Sequence, residues 1–193
     1  MAVELEEKVI GNIISIQERL RSKDYDLRIV DPENLHLTLK FLGEVDGSKR
    51  VEELVSRCVK EFNEFKLSFE GVGHFGSQER MNVIWAGVKE GKEEYVNLAK
   101  KLDSCLLFIR KEEREPSPHL TIARVKSGRN MHELAREVHS LHDVKLGEVR
   151  VKVVKLKQSV LTPQGPIYSD VKAFPLLGKK ASSETFNLKE KRE

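Results

Sequence analysis

His36-Leu37-Thr38-Leu39 and His119-Leu120-Thr121-Ile122 are two copies of one pattern. A shuffled chain of this composition would hold about 0.1 His-x-Thr matches, so two copies with aliphatic residues at the second and fourth positions are not coincidence. Side chains alternate along a strand, so His36 and Thr38 share one face while Leu37 and Leu39 share the other. His119 and Thr121 stand in the same relation to Leu120 and Ile122. Each copy is therefore a strand with an apolar face for the core and a histidine–hydroxyl pair on its opposite face. An amphipathic helix follows each copy. The chain reads as two related lobes, about 1–90 and 91–178, and duplication is the simplest explanation.

Outward from these strands, helical periodicity marks four segments: about 6–21, 48–64, 92–108 and 130–142. Ser48 is a candidate N-cap for the second, with Glu52 in its first turn. Strand-like runs occupy Leu27–Val30, Leu35–Leu42, Lys66–Glu70, Asn82–Val88, His119–Val125 and Glu148–Leu161, with Gly and Pro at their ends. Mixed elements with hairpin-length gaps predict an α+β fold with antiparallel sheets rather than parallel βαβ units. The last residues, 179–193, are polar, contain several lysines, and read as a mobile basic tail.

The 193 residues include 34 basic and 31 acidic side chains, and 39% are hydrophobic. That is enough chain for a core without staples. Four Gln against abundant Lys and Glu is a skew typical of proteins from hot environments. No apolar run is long enough to span a membrane, and Met1-Ala2-Val3-Glu4 lacks the pattern of a signal peptide. Cys58 and Cys105 each fall at an apolar helix position. Neither a disulfide nor a zinc knuckle is expected, which points to a reducing cytoplasm. A net charge of +3 neither establishes nor excludes a nucleic-acid partner.

If the two strands meet across a cleft, two imidazoles and two hydroxyls converge. Imidazole titrates near neutrality, so one ring can act as general base while the other acts as general acid. Hydroxyls are short uncharged donors suited to non-bridging phosphate oxygens. The set fits in-line attack on a phosphodiester and calls for no metal or other cofactor.

The two motifs resemble those of the 2H phosphoesterases, and their context resembles the branch called RNA 2′,3′-cyclic phosphodiesterase or 2′-5′ RNA ligase. The stretches that carry the likeness are Asn34–Gly43, Val83–Val88, Pro118–Val125 and Gln158–Tyr168, and it extends to about Leu177. The resemblance implies a single bilobal catalytic domain over 1–178, with two antiparallel sheets facing a central cleft and helices outside. It implies hydrolysis of a terminal 2′,3′-cyclic phosphate to a 2′-phosphate, with His36 as proton donor to the leaving 3′-oxygen and His119 as the base on water. The expected partner is RNA with such ends, tRNA fragments included, acted on by a monomer. Ligation would be essentially the reverse reaction, with a 5′-hydroxyl in place of water. Family members usually open with a full strand of the Arg-Ala-Phe-Ile-Ala type, so the start here predicts a short or truncated first strand.

Other side chains carry two readings each. Arg124 could neutralise a phosphate, yet strict alternation puts it opposite His119 unless a bulge re-aims it. Lys40 shares the histidine face and either lines the cleft or is a solvated strand-end lysine. Arg150, Lys152, Lys155 and Lys157 either track an RNA backbone or guard a sheet edge. Phe75 and Tyr168 are loop aromatics that stack a base or plug a hydrophobic layer. Trp85 reads as core. His132, His139 and His142 read as solvent-exposed helix residues without a metal-ligand cluster. Gly87–Glu93 has neither P-loop spacing nor its Ser or Thr, and no Lys-x-Asp-Gly nucleophile for an ATP-dependent ligase occurs. The rivals are an enzyme for another cyclic or 2′-5′-linked nucleotide, an RNA- or nucleotide-binding module without turnover, and a metallohydrolase.

Overall fold

The computed structural model describes residues 1–45, 48–162 and 165–178; the expected basic tail at 179–193 lies outside them. In chain order the elements are β1 (Ala2–Val3), α1 (Glu7–Arg21), β2 (Leu27–Ile29), a 3-10 turn (Pro32–Asn34), β3 (Leu37–Thr38), α2 (Ser48–Val59) and β4 (Phe65–Ser77). Then follow β5 (Arg80–Val88), α3 (Lys92–Cys105), β6 (His119–Val125), α4 (Met131–Ser140), β7 (Lys145–Val151), β8 (Val153–Thr162) and β9 (Gly165–Pro175). All ladders between these strands are antiparallel. They build a four-stranded sheet, β3-β1-β8-β9, and a five-stranded sheet, β2-β6-β5-β4-β7. The α+β architecture is the one expected.

Read inward from its histidine strand, one sheet runs β3-β1-β8 and the other β6-β5-β4. In the first, β8 comes from the other half of the sequence; in the second, both β5 and β4 do. The two halves therefore do not fold as one sheet apiece but exchange strands. Helix α1 buries Val9, Ile13, Ile16 and Leu20 and packs on the five-stranded sheet, as does α4, while α2 lies against β9 and α3.

Three local readings change. The run Leu35–Leu42 is strand only at Leu37–Thr38, because its ladder partner β1 is two residues long. The short first strand is thus observed, and Ala2 and Val3 are buried between β3 and β8. The run Glu148–Leu161 is two strands that belong to different sheets, β7 and β8. Ser48 is the first residue of α2 rather than a residue before it.

The cysteines correct an expectation. Cys58 on α2 and Cys105 on α3 form a disulfide with Cα atoms 6.8 Å apart. The apolar faces on which they sit are the faces that α2 and α3 press together, so the two sulfurs meet in that seam. Intracellular proteins of hyperthermophiles also carry disulfides, so the bridge assigns no compartment, and with no unpaired thiols the cysteines no longer point to a reducing one. No helix among the described residues is long and apolar enough to cross a membrane.

Candidate active site

A cleft of about 270 Å³ between the sheets is lined by His36, Thr38, His119 and Thr121 together. The two histidine strands approach each other there. Their surroundings repeat in detail. The Nδ1–H of His36 donates to the carbonyl of Asn34 at 2.8 Å, and that of His119 to the carbonyl of Ser117 at 2.8 Å. A carbonyl can only accept, so the proton sits on Nδ1 and each Nε2 is left for a reacting group. Each ring also meets an aromatic edge-on with centroids 4.8 Å apart: Tyr168 against His36, and Phe75 against His119. Phe75 and Tyr168 both line the cleft. Asn34 Nδ2 donates to the Pro166 carbonyl at 3.1 Å, which ties the turn before His36 to the strand that carries Tyr168.

Arg124 lines the same cleft, and a bulge brings it there. Trp85 pairs with Thr121 and its neighbour Ile84 pairs with Ala123, so Ile122 is the extra residue. Ile122 and Ala123 are consequently both buried, and Arg124 returns to the face of His119 and Thr121. Gln17, buried on the apolar face of α1, serves this irregularity. Its Nε2 donates to the carbonyls of Ile122 at 3.0 Å and Val30 at 2.7 Å. Gln17 escaped the sequence reading; a lone amide among Ile13, Ile16 and Leu20 was its signal. Arg28, also unforeseen, stands in register opposite Arg124 and lines the cleft.

Lys40 is neither in the cleft nor solvated, which corrects both readings of it. Its side chain is buried, its ammonium pairs with Asp103, and it donates to the Arg110 carbonyl at 2.7 Å. It lines a second cavity of about 1020 Å³ that adjoins the first through His36, Thr38, Phe41 and Tyr168. The basic run divides: Arg150 lies on β7, an edge strand of the five-stranded sheet, whereas Lys155 and Lys157 on β8 guard no edge. Strand β8 lies between β1 and β9. Lys155 and Lys157 each contact both Glu4 and Asp170 at 2.5–3.0 Å, and Arg150 pairs with Glu64 at 2.9 Å. Trp85 is not core. It is half-buried on the face of β5 opposite Ile84 and Ala86, 5.6 Å from Phe75. Its ring lies across Gly73, where a Cβ would come within 2.4 Å of it. His139 and His142 stack on each other at the surface.

Burial dominates the electrostatics of His36. Desolvation holds its imidazole below the usual value, and the nearby Lys157 ammonium adds to this, against the opposing hydrogen bond to Asn34.

Two imidazoles, two hydroxyls and an arginine thus line one small cleft. The sequence model of the family described as "LigT like Phosphoesterase" matches residues 3–85 and 87–168. The chain belongs to this family of phosphoesterases. It is 40% identical over 181 residues to a protein from Methanothermobacter thermautotrophicus named RNA 2′,3′-cyclic phosphodiesterase, covering 91% of this chain and 97% of that one. A protein of the same name from Archaeoglobus fulgidus is 38% identical over 177 residues, covering 90% and 97%. A crystal structure of a Thermus thermophilus protein superposes with a TM-score of 0.76 at 27% identity, covering 93% and 97%.

Proposed function

We propose that the chain hydrolyses RNA ending in a 2′,3′-cyclic phosphate to a 2′-phosphate, with the two His-x-Thr pairs as acid–base machinery. The convergence of His36, Thr38, His119 and Thr121 on one cleft carries the reading. The names of relatives at 40% and 38% identity support the substrate. In the proposed step Nε2 of His119 takes a proton from water as its oxygen attacks phosphorus. The bond from phosphorus to the 3′-oxygen breaks in line, and that oxygen receives the proton of His36 Nε2. Thr38 and Thr121 donate to the non-bridging oxygens, and Arg124 neutralises their charge. Burial favours the neutral form of His36 in the free protein, so the negative charge of bound phosphate is what keeps its proton in place. No step requires a metal. A 5′-hydroxyl in place of water would give 2′-5′ ligation.

The same proposal treats residues 1–178 as one catalytic domain of two pseudo-repeats, working as a monomer on RNA ends, tRNA fragments included, in the cytoplasm. The separate matches of one family model to 3–85 and 87–168 support the repeat.

The test is incubation with cyclic-ended RNA in excess EDTA, with 2′- and 3′-phosphate products resolved. A 2′-phosphate that disappears in both His36→Ala and His119→Ala is expected. Intact RNA with measurable binding would make the cleft a binding module, and loss of wild-type activity in EDTA would make the protein a metallohydrolase.

A further inference from the structure

On the open face of the five-stranded sheet, Arg28 of β2 stands directly opposite Arg124 of β6. Both side chains are exposed and both line the cleft. Like charges in register on neighbouring strands are destabilising, so the pair calls for an anion. Among the described residues, the arginines that do have carboxylate partners are Arg19, Arg129 and Arg150, all elsewhere. Asp31 also lines the cleft but pairs with neither guanidinium.

A cyclic phosphate carries one negative charge, and two imidazoles, two hydroxyls and Arg124 already surround its place. Arg28, one strand further out, has no role there. The end of a polynucleotide brings a second anion, the phosphodiester on the 5′ side of the terminal nucleoside. Resting on the function proposed above, we infer that Arg28 binds this internucleotide phosphodiester, so that the site selects a polynucleotide end over a mononucleotide. The other extension of the cleft is poorly suited to a phosphate. In the second cavity Lys40 and Lys157 are already paired with carboxylates, and Glu44 lines it alongside Arg110.

The test is Arg28→Gln, a change at an exposed side chain without an ion-pair partner. Two substrates are compared: a short RNA with a 2′,3′-cyclic end and the matching nucleoside 2′,3′-cyclic phosphate. Binding of the corresponding products, the RNA with a 2′-phosphate end and the nucleoside 2′-monophosphate, is measured alongside. The variant is expected to weaken the RNA about tenfold in KM and product Kd, an effect the size of one charge-assisted hydrogen bond. The mononucleotide should be unchanged. The logarithmic salt dependence of RNA binding should become shallower by about 0.7, one single-strand phosphate contact. Equal losses on RNA and mononucleotide would place Arg28 on the reacting phosphate and overturn the inference, as would no loss on either. If wild type hydrolyses neither cyclic substrate the proposed function fails, and the product-binding arms still decide the role of Arg28.

Discussion

The two histidine strands offer the same side chains to the cleft but are supported by different means. Strand β6 is seven residues long. Strand β5 pairs along it from His119 to Arg124 and β2 pairs with Ala123–Val125, so a long ladder to β5, anchored further on by β2, holds His119 and Thr121. Strand β3 is two residues long and has a ladder only to β1. Side chains of α3 do the rest: the buried Tyr95 hydroxyl donates to the Thr38 carbonyl, and Asp103 holds Lys40. The Met1 amine donates to the Lys40 carbonyl at 2.7 Å. An acid–base pair needs equivalent geometry at its two rings, and that can be reached from a ladder on one side and a tertiary clamp on the other. On the clamped side the half-buried ring of His36 has its pKa pushed down by desolvation.

If the symmetry is chemical, His36→Ala and His119→Ala should each lower kcat by about 10²–10⁴-fold with little change in KM. Steady-state rates on cyclic-ended RNA measure this, and a variant near wild type would break the pairing. If the clamp supports β3, Asp103→Ala, which leaves a buried ammonium without its countercharge, should cost about 3 kcal/mol in urea unfolding. A cost under about 0.5 kcal/mol, the range of ordinary surface changes, would mean that β3 stands on β1 alone.

The bulge sharpens the other side of the comparison. Gln17→Leu leaves the part-buried Val30 carbonyl without its side-chain donor and should destabilise by about 1 kcal/mol. It should also raise KM through misplaced Arg124. In an Arg124→Ala background the KM effect should vanish, as for coupled sites; additive effects would show that Gln17 does not act through the arginine. The smallest effect is the pH dependence. Because the folded state holds His36 below its usual value near 6.5, the unfolded chain binds its proton first. Stability should therefore fall as pH drops below that value, and His36→Asn should remove this part of the fall. Parallel curves for the two proteins would show that burial does not act on this ring.

Much of the site was legible because strand alternation is local. Placing His36 with Thr38 and His119 with Thr121 needs only the period of two, and the four side chains do line one cleft. The same rule left Arg124 with two readings, since one inserted residue at Ile122 reverses the parity and only the pairing to β5 reveals it. Lys40 failed similarly. Its face is predictable, but its partner Asp103 arrives from a helix far along the chain. Gln17 left only the signal of a lone amide on an apolar face, and Arg28 left none, because their meaning lies in what stands opposite: two carbonyls at a bulge, and an arginine in register.

By itself the sequence determined the α+β class, the four amphipathic helices and the two titrating strands, because propensity and periodicity act between near neighbours. Tertiary structure decided the rest. It exchanged strands between the halves, joined Cys58 to Cys105, neutralised the lysines of β8 and turned Arg124 toward the histidines. Each of these depends on a contact between residues distant in the chain, and the free energy of such a contact exists only once packing has brought its two sides together.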